Sequence, residues 1–144
     1  MPARLHIEGA EDMDRRLVGI GKDASDPAMV LPILMEALEP VAERAREIVP
    51  VRSGRLQNDI GVSDRAIDAD AERGVAAYVG PDADAFYAED VEFGRPASVS
   101  RSGRHWDEVP PNPFMRPAWD MESDSIIERV ADGLGRVIER AGRK

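Results

Sequence analysis

One segment of this 144-residue chain constrains the fold more than any other, namely residues 27–50, where apolar side chains recur at spacings of three and four. Glutamates occupy the other side of the segment, so the pattern predicts an amphipathic helix with one face in a core. The apolar stripe consists of Leu31, Leu34, Leu38, Val41, Ala42, Ala45 and either Ile48 or Val49. Pro50 ends the predicted helix, because the residue before a proline avoids helical geometry. Pro40 is expected to bend it.

A second long helical pattern fills the C-terminal part of the chain. Apolar residues such as Ile126, Val130 and Leu134 form a stripe that predicts a helix over residues 117–142. The N-terminal residues 1–26 carry weaker signals, which predict a short strand at residues 5–7 and a modest helix at residues 10–22.

Between the two long helices, apolar residues recur at every second position instead of every third or fourth. Alternation around an acidic stretch at residues 68–73 predicts an antiparallel β-hairpin over residues 55–80, with its first strand from Leu56 to about Ala66. Residues 84–94 predict a short helix that ends at Gly94, and residues 95–112 an exposed loop or arm. We therefore predict a single α+β domain over residues 1–144, with a long N-terminal helix and a C-terminal helix packed on a small antiparallel sheet, and an extended loop.

Composition and charge restrict the functions that such a domain can have. The formal net charge is −9, which argues against broad binding to the DNA phosphate backbone. The chain has no Cys, so disulfides and thiolate metal sites are excluded. No apolar run is long enough to span a bilayer, and the N-terminus lacks the apolar core of a signal peptide. We expect a protein made in the cytoplasm, or packaged into a particle formed there, without a membrane partner.

No group of residues in the sequence has the spacing of a catalytic, cofactor-binding or metal site. The stretch GIGK at residues 19–22 lacks the length and the following Ser or Thr of a phosphate-binding loop. Ser53 lacks the flanking glycines of a nucleophile elbow, and only His6 and His105 could serve as a histidine base. The acidic residues between Asp82 and Glu92 do not follow the pattern of a calcium loop. We predict no enzyme activity and no cofactor.

Arginine and aromatic residues in and beside the predicted loop are the candidates for an interaction site. The loop combines basic groups with an aromatic, a composition typical of a protein hot spot or a nucleic-acid contact, although an ordinary exposed loop with Trp106 folded onto the domain would look the same. Phe114 is expected to pack in the core, whereas Trp119 could pack in the core or belong to an interface. The candidate interface comprises Phe93, Arg95, Arg101, Arg104, His105, Trp106, Phe114, Met115 and Trp119.

Three motifs in order along the chain resemble the signature of the "gene product ten-like" tail-component family of long-tailed bacteriophages. The first is VPVRSGRL at residues 49–56, the second YAEDVEFG at residues 87–94, and the third PPNPFMRPAWD at residues 110–120. Pro50, Gly54 and Gly94 are the structural turn positions within these motifs. The resemblance spans roughly residues 27–144, and the stretch 96–109 is longer than in compact members of the family.

The resemblance implies a structural virion protein, variously called a neck, head–tail connector or tail completion protein, that is not an enzyme. It also implies a compact α+β unit that assembles around the tail axis, with a six-fold ring as the expectation. The expected partners are further copies of the chain, neighbouring neck, connector, tail-tube or tail terminator proteins, and genomic DNA that passes without sequence-specific binding. The alternative is a soluble assembly factor or regulator, encoded by a phage, that binds a partner and does not stay in the virion.

Overall fold

A computed structural model describes residues 10–64 and 75–143 of the chain. The strand predicted at residues 5–7 and the acidic hairpin loop predicted at residues 68–73 lie outside the described residues. The order of elements is α1 (Ala10–Ser25), α2 (Pro27–Ile48), α3 (Arg55–Asp59), β1 (Ile60–Ser63), β2 (Tyr78–Pro81), α4 (Ala88–Phe93), β3 (Ser98–Val99), β4 (His105–Trp106) and α5 (Met115–Gly142). Long helices at both ends and small antiparallel sheets confirm the α+β class.

Local signals at both ends of α2 explain its boundaries. The Asp26 carboxylate accepts a hydrogen bond of 2.9 Å from the Ala28 N–H, and Pro27 occupies the first helical position. At the other end the Val49 N–H donates to the carbonyl of Ala45, and Pro50 prevents a further turn. Pro32 and Pro40 both lie within the helix.

The core forms where α2 meets the other elements. Val41, Ala42 and Ala45 of α2 are fully buried, and the small alanines let neighbouring elements approach closely. The β1–β2 sheet and α5 both contact α2, and α1 contacts α5. The remaining buried members of the cluster are Val49, Leu56, Ile60, Ala85, Ala88, Phe114 and Ala118.

The β1–β2 sheet is antiparallel, with Ile60 opposite Pro81 and Ser63 opposite Tyr78. Arg46 connects it to α2, because its Nε donates to the Ile60 carbonyl at 2.9 Å. The Gln57 side-chain amide donates in turn to the Arg46 carbonyl at 2.8 Å. The strand β2 is therefore held by its pairing with β1. The Arg46 side chain connects β1 to α2, and the Gln57 side chain connects α3 to α2.

The strand predicted from Leu56 is wrong over residues 55–59, which form α3. Leu56 and Ile60 are both buried, whereas Asn58 between them is exposed. Positions four apart share one face of a helix, so the two apolar residues reach the core without the alternation that a strand requires. The strand begins only at Ile60.

Other predicted boundaries also move. The short helix predicted from residue 84 begins at Ala88, and α5 begins at Met115 rather than at residue 117. Pro117 is tolerated there because its position in the first turn has no intrahelical N–H bond to lose. Residues 95–112, predicted as a loop, carry the β3–β4 ladder, in which Ser98 pairs with Trp106 and Val99 with His105.

Candidate functional site

The three motif segments, far apart in the sequence, meet around one open cleft of about 670 Å³. The first segment forms the turn between α2 and α3, the second forms α4, and the third leads into α5. The cleft is lined by Pro50, residues 52–57, Tyr87, Asp90, Val91, Arg95, Val109, Pro110 and Asn112. The motifs therefore form a single junction in the folded chain.

A buried carboxylate joins the second motif to the third. Glu92 of α4 is only 8% exposed, and its two oxygens accept hydrogen bonds from three successive backbone N–H groups at the start of α5. The distances are 2.7 Å from Phe114, 3.0 Å from Met115 and 3.1 Å from Arg116. These donors have no partner within the helix, and a negative charge at a helix N-terminus is also favourable. Glu92 thus acts as a cap supplied from another element.

Backbone contacts complete this junction. The Asn112 N–H donates to the Val91 carbonyl at 2.8 Å. Gly94 has φ of 76°, and a side chain there would place its Cβ 2.9 Å from the Val109 carbonyl oxygen and from the Pro111 ring. Only glycine fits, because both the backbone conformation and the space exclude a Cβ. Gly94 of the second motif is therefore required because the third motif passes so close to its backbone.

The first motif makes the turn from α2 to α3. Gly54 has φ of 75° and precedes α3, whose residue Asn58 donates its N–H to the Gly54 carbonyl at 3.0 Å. The left-handed conformation favours glycine. Leu56 then enters the core immediately after the turn.

A hairpin arm projects from the junction; we define it as residues 95–109. Its base is closed by reciprocal backbone hydrogen bonds between Arg95 and Val109, of 2.9 and 2.8 Å. The Arg95 guanidinium binds the Asp90 carboxylate of α4 at 2.7 Å. The guanidinium carbon of Arg95 lies 5.2 Å from the centre of the Trp106 ring. The guanidinium carbon of Arg104 lies 4.8 Å from the same ring centre. Both distances are within the range of cation–π attraction.

The structure divides the predicted interface residues into three groups by their exposure. Phe93 is 76% exposed, Trp119 46% and Trp106 41%, and Arg101, Arg104 and His105 are also exposed. Arg95 and Met115 are half-buried. Phe114 is 1% exposed and belongs to the core, so it is removed from the candidate interface. Its position at the entry to α5, between Glu92 and the α2 face, explains its burial.

Sequence reasoning missed two residues of this region. Phe86 is 84% exposed and contacts Tyr87 edge-on, with a distance of 5.8 Å between ring centres. Glu92 looked like one more residue of an acidic helix face. A signal for its role existed, because the start of α5 offers no Ser, Thr, Asp or Asn cap of its own.

Histidine and acidic side chains are the candidates for metal binding in the part of the chain that the structure describes. No group of three or more His, Cys, Asp or Glu side chains in residues 10–64 and 75–143 is arranged to hold a metal ion. His105 lies on the exposed arm. In the same part of the chain no helix combines the length and apolarity that crossing a membrane requires.

Comparison with known proteins gives one match. A family model described as "Bacteriophage HK97-gp10, putative tail-component" matches residues 11–94, which is more than half of the chain. The matched region contains the first two motifs and ends at the glycine whose conformation is described above. No curated protein and no solved structure matches the chain.

Proposed function

The chain belongs to the HK97-gp10-like family of bacteriophage proteins, and we propose that it is a structural virion protein of the head–tail junction or tail end. In this proposal it forms a ring, six-fold about the tail axis, that completes the tail and joins it to the head. Family membership supports a structural role in a phage particle.

The observation that carries the proposal furthest is the hairpin arm. Its strands are exposed, and β3 and β4 pack mainly against each other among the described elements. An isolated two-stranded hairpin is marginally stable in water. Here Asp90 and Val109 hold its base through Arg95, which presents the outer part as a fixed projection. A projection of this kind serves contact with a neighbouring subunit or with an adjacent neck, connector or tail protein.

The charge distribution is compatible with DNA passage through such a ring. The chain carries a net charge of −9, and four glutamates of α2 are exposed, namely Glu36, Glu39, Glu43 and Glu47. A negative channel wall repels the phosphate backbone, so DNA would cross without sticking. The proposal therefore includes genomic DNA as a passing partner and no sequence-specific contact.

Purified particles of the phage that encodes this chain provide the test. Quantitative mass spectrometry should find about six copies per tail, and cryo-electron microscopy should place their density at the neck or tail end. Absence from finished particles would contradict the proposal and favour the soluble assembly factor. A single copy far from the neck would contradict the placement.

A further inference from the structure

We infer that the arm of one copy docks on a row of carboxylates along α5 of a second copy. The inference rests on the proposed function, since it names the contact between adjacent subunits of the ring. The row consists of Asp120, Asp124, Glu128 and Asp132. The argument depends on two surfaces of opposite charge on one chain.

The arm supplies the positive surface. Its outer part, residues 98–106, contains Arg101, Arg104 and His105, whereas the acidic residues of the arm, Asp107 and Glu108, lie next to its base. Neither Arg101 nor Arg104 has an ion-pair partner among residues 10–64 and 75–143. The backbone N–H of Arg104 donates to the Ser100 hydroxyl oxygen at 3.1 Å, and the backbone N–H of Ser100 donates to the Arg104 carbonyl. These two bonds close a tight turn, which holds both arginines at the tip.

The row on α5 supplies the negative surface. Its four members are exposed and follow one another at intervals of four residues, which places them along one ridge of the helix at steps of about 6 Å. None of them forms an ion pair within the described residues. Like charges four apart on a helix repel each other by roughly 0.2–0.5 kcal/mol per pair. A cationic partner would remove this repulsion.

The row differs from the other acidic residues of the long helices. Glu39 and Glu47 of α2 pair with Arg46 and Arg44, and Glu122 on α5 is held by Arg44 and Arg129. Glu36 and Glu43 are exposed on α2 but lie seven residues apart, so they do not form a row. Among the described helices, α5 is therefore the one that carries four exposed acidic residues at intervals of four without an ion-pair partner in the described residues, with Arg116 and Arg136 at the two ends of the same ridge.

Apolar residues accompany the charges on both surfaces. Val99 and Trp106 on the arm are 59% and 41% exposed, and Ile127, beside the row on α5, is 74% exposed. A small apolar centre with charges around it is typical of protein–protein contacts. Since the arm and the row are different patches of one chain, the contact can repeat head to tail from one copy to the next, and such a heterologous contact forms a ring when the rotation between copies closes.

Sedimentation velocity of the purified full chain tests the contact, with two charge-reversal variants and their combination. Arg101→Glu with Arg104→Glu reverses the arm, and Asp124→Lys with Glu128→Lys reverses the row. Arg52→Glu with Arg55→Glu, and Asp14→Lys with Glu89→Lys, change the net charge by the same amounts at exposed positions that belong to neither the arm nor the row. Circular dichroism verifies that each variant is folded.

The wild-type chain should self-associate at about 0.1 M salt and less at about 1 M, because the screening length falls from about 10 Å to about 3 Å. Each reversal at the contact should weaken association at least about tenfold, whereas the matched controls should not. The four-residue combination should restore association, since it exchanges the two charges.

Three outcomes would overturn the inference. One is a wild-type chain that remains monomeric at about 1 mM protein; another is association that the contact variants leave unchanged. The third is a combination that fails to associate although each component variant is folded. Presence of the protein in virions is independent of these outcomes, so a failed contact is distinguishable from a failed function.

Discussion

The carboxylate of Glu92 is the single side chain that most directly connects separate parts of the chain. It lies on a six-residue helix and bonds three N–H groups that are more than twenty positions further along. Hydrogen bonds to a charged acceptor contribute about 1.5–3 kcal/mol, and buried donors left without a partner are destabilising by a similar amount. The position of α5 relative to α4 therefore depends on this residue.

Replacement of Glu92 by alanine should lower the free energy of unfolding by about 2–3 kcal/mol, because the first N–H groups of α5 lose their acceptor. Urea denaturation followed by circular dichroism measures the change. Glu89→Ala is the matched control, since Glu89 is exposed on the same helix. Equal losses in the two variants would argue against the capping role.

At the scale of elements, α2 and α5 approach each other through a glycine. A Cβ built on Gly133 overlaps the Ile33 side chain, whereas one built on Gly135 has no atom within 4 Å. Ile33 is β-branched and has little freedom to move away. The two glycines of α5 thus have opposite structural roles, although they lie two residues apart.

Gly133→Ala should destabilise the protein by roughly 1–3 kcal/mol, since it forces the two helices apart or strains Ile33. Gly135→Ala should stabilise it by up to about 1 kcal/mol through helix propensity. Thermal unfolding of both variants against the wild type provides the measurement. Stabilisation by both alanines would show that the helices tolerate the added methyl group.

The elements differ in how far the sequence could predict them. The stripe of α2 and its stop at Pro50 follow from local rules, so this helix was predictable. Leu56 and Ile60 could not be assigned from the sequence, because residues four apart satisfy both a strand and a helix pattern. The role of Glu92 was hidden since it depends on a contact more than twenty residues away. For the same reason the meeting of the three motifs at one cleft could be seen only in the fold.

At the scale of the whole molecule, the arm is separate from the core that stabilises the domain. No residue between Arg95 and Val109 belongs to the buried cluster. Both ends of the arm are joined by backbone hydrogen bonds at its base. We therefore expect the domain to fold without the outer part of the arm, because the buried cluster contains none of its residues.

Replacement of residues 96–108 by the turn dipeptide Asn-Gly should leave the free energy of unfolding within about 1 kcal/mol of the wild type, because Arg95 and Val109 already exchange both backbone hydrogen bonds and can flank a two-residue hairpin. The same variant should not be incorporated into particles. Urea denaturation and particle yield in a complementation assay test the two halves of the prediction. Normal incorporation would remove the arm from assembly.

The closed base of the arm has a consequence for how such a protein can change over time. When the ends of a loop are already held together, doubling its length costs only about 0.6 kcal/mol in chain entropy. Insertions, deletions and altered charges in the outer arm therefore leave folding nearly unaffected. On the proposed function, changes in the outer arm would alter the contact with a neighbouring protein and leave the buried core of the domain unchanged.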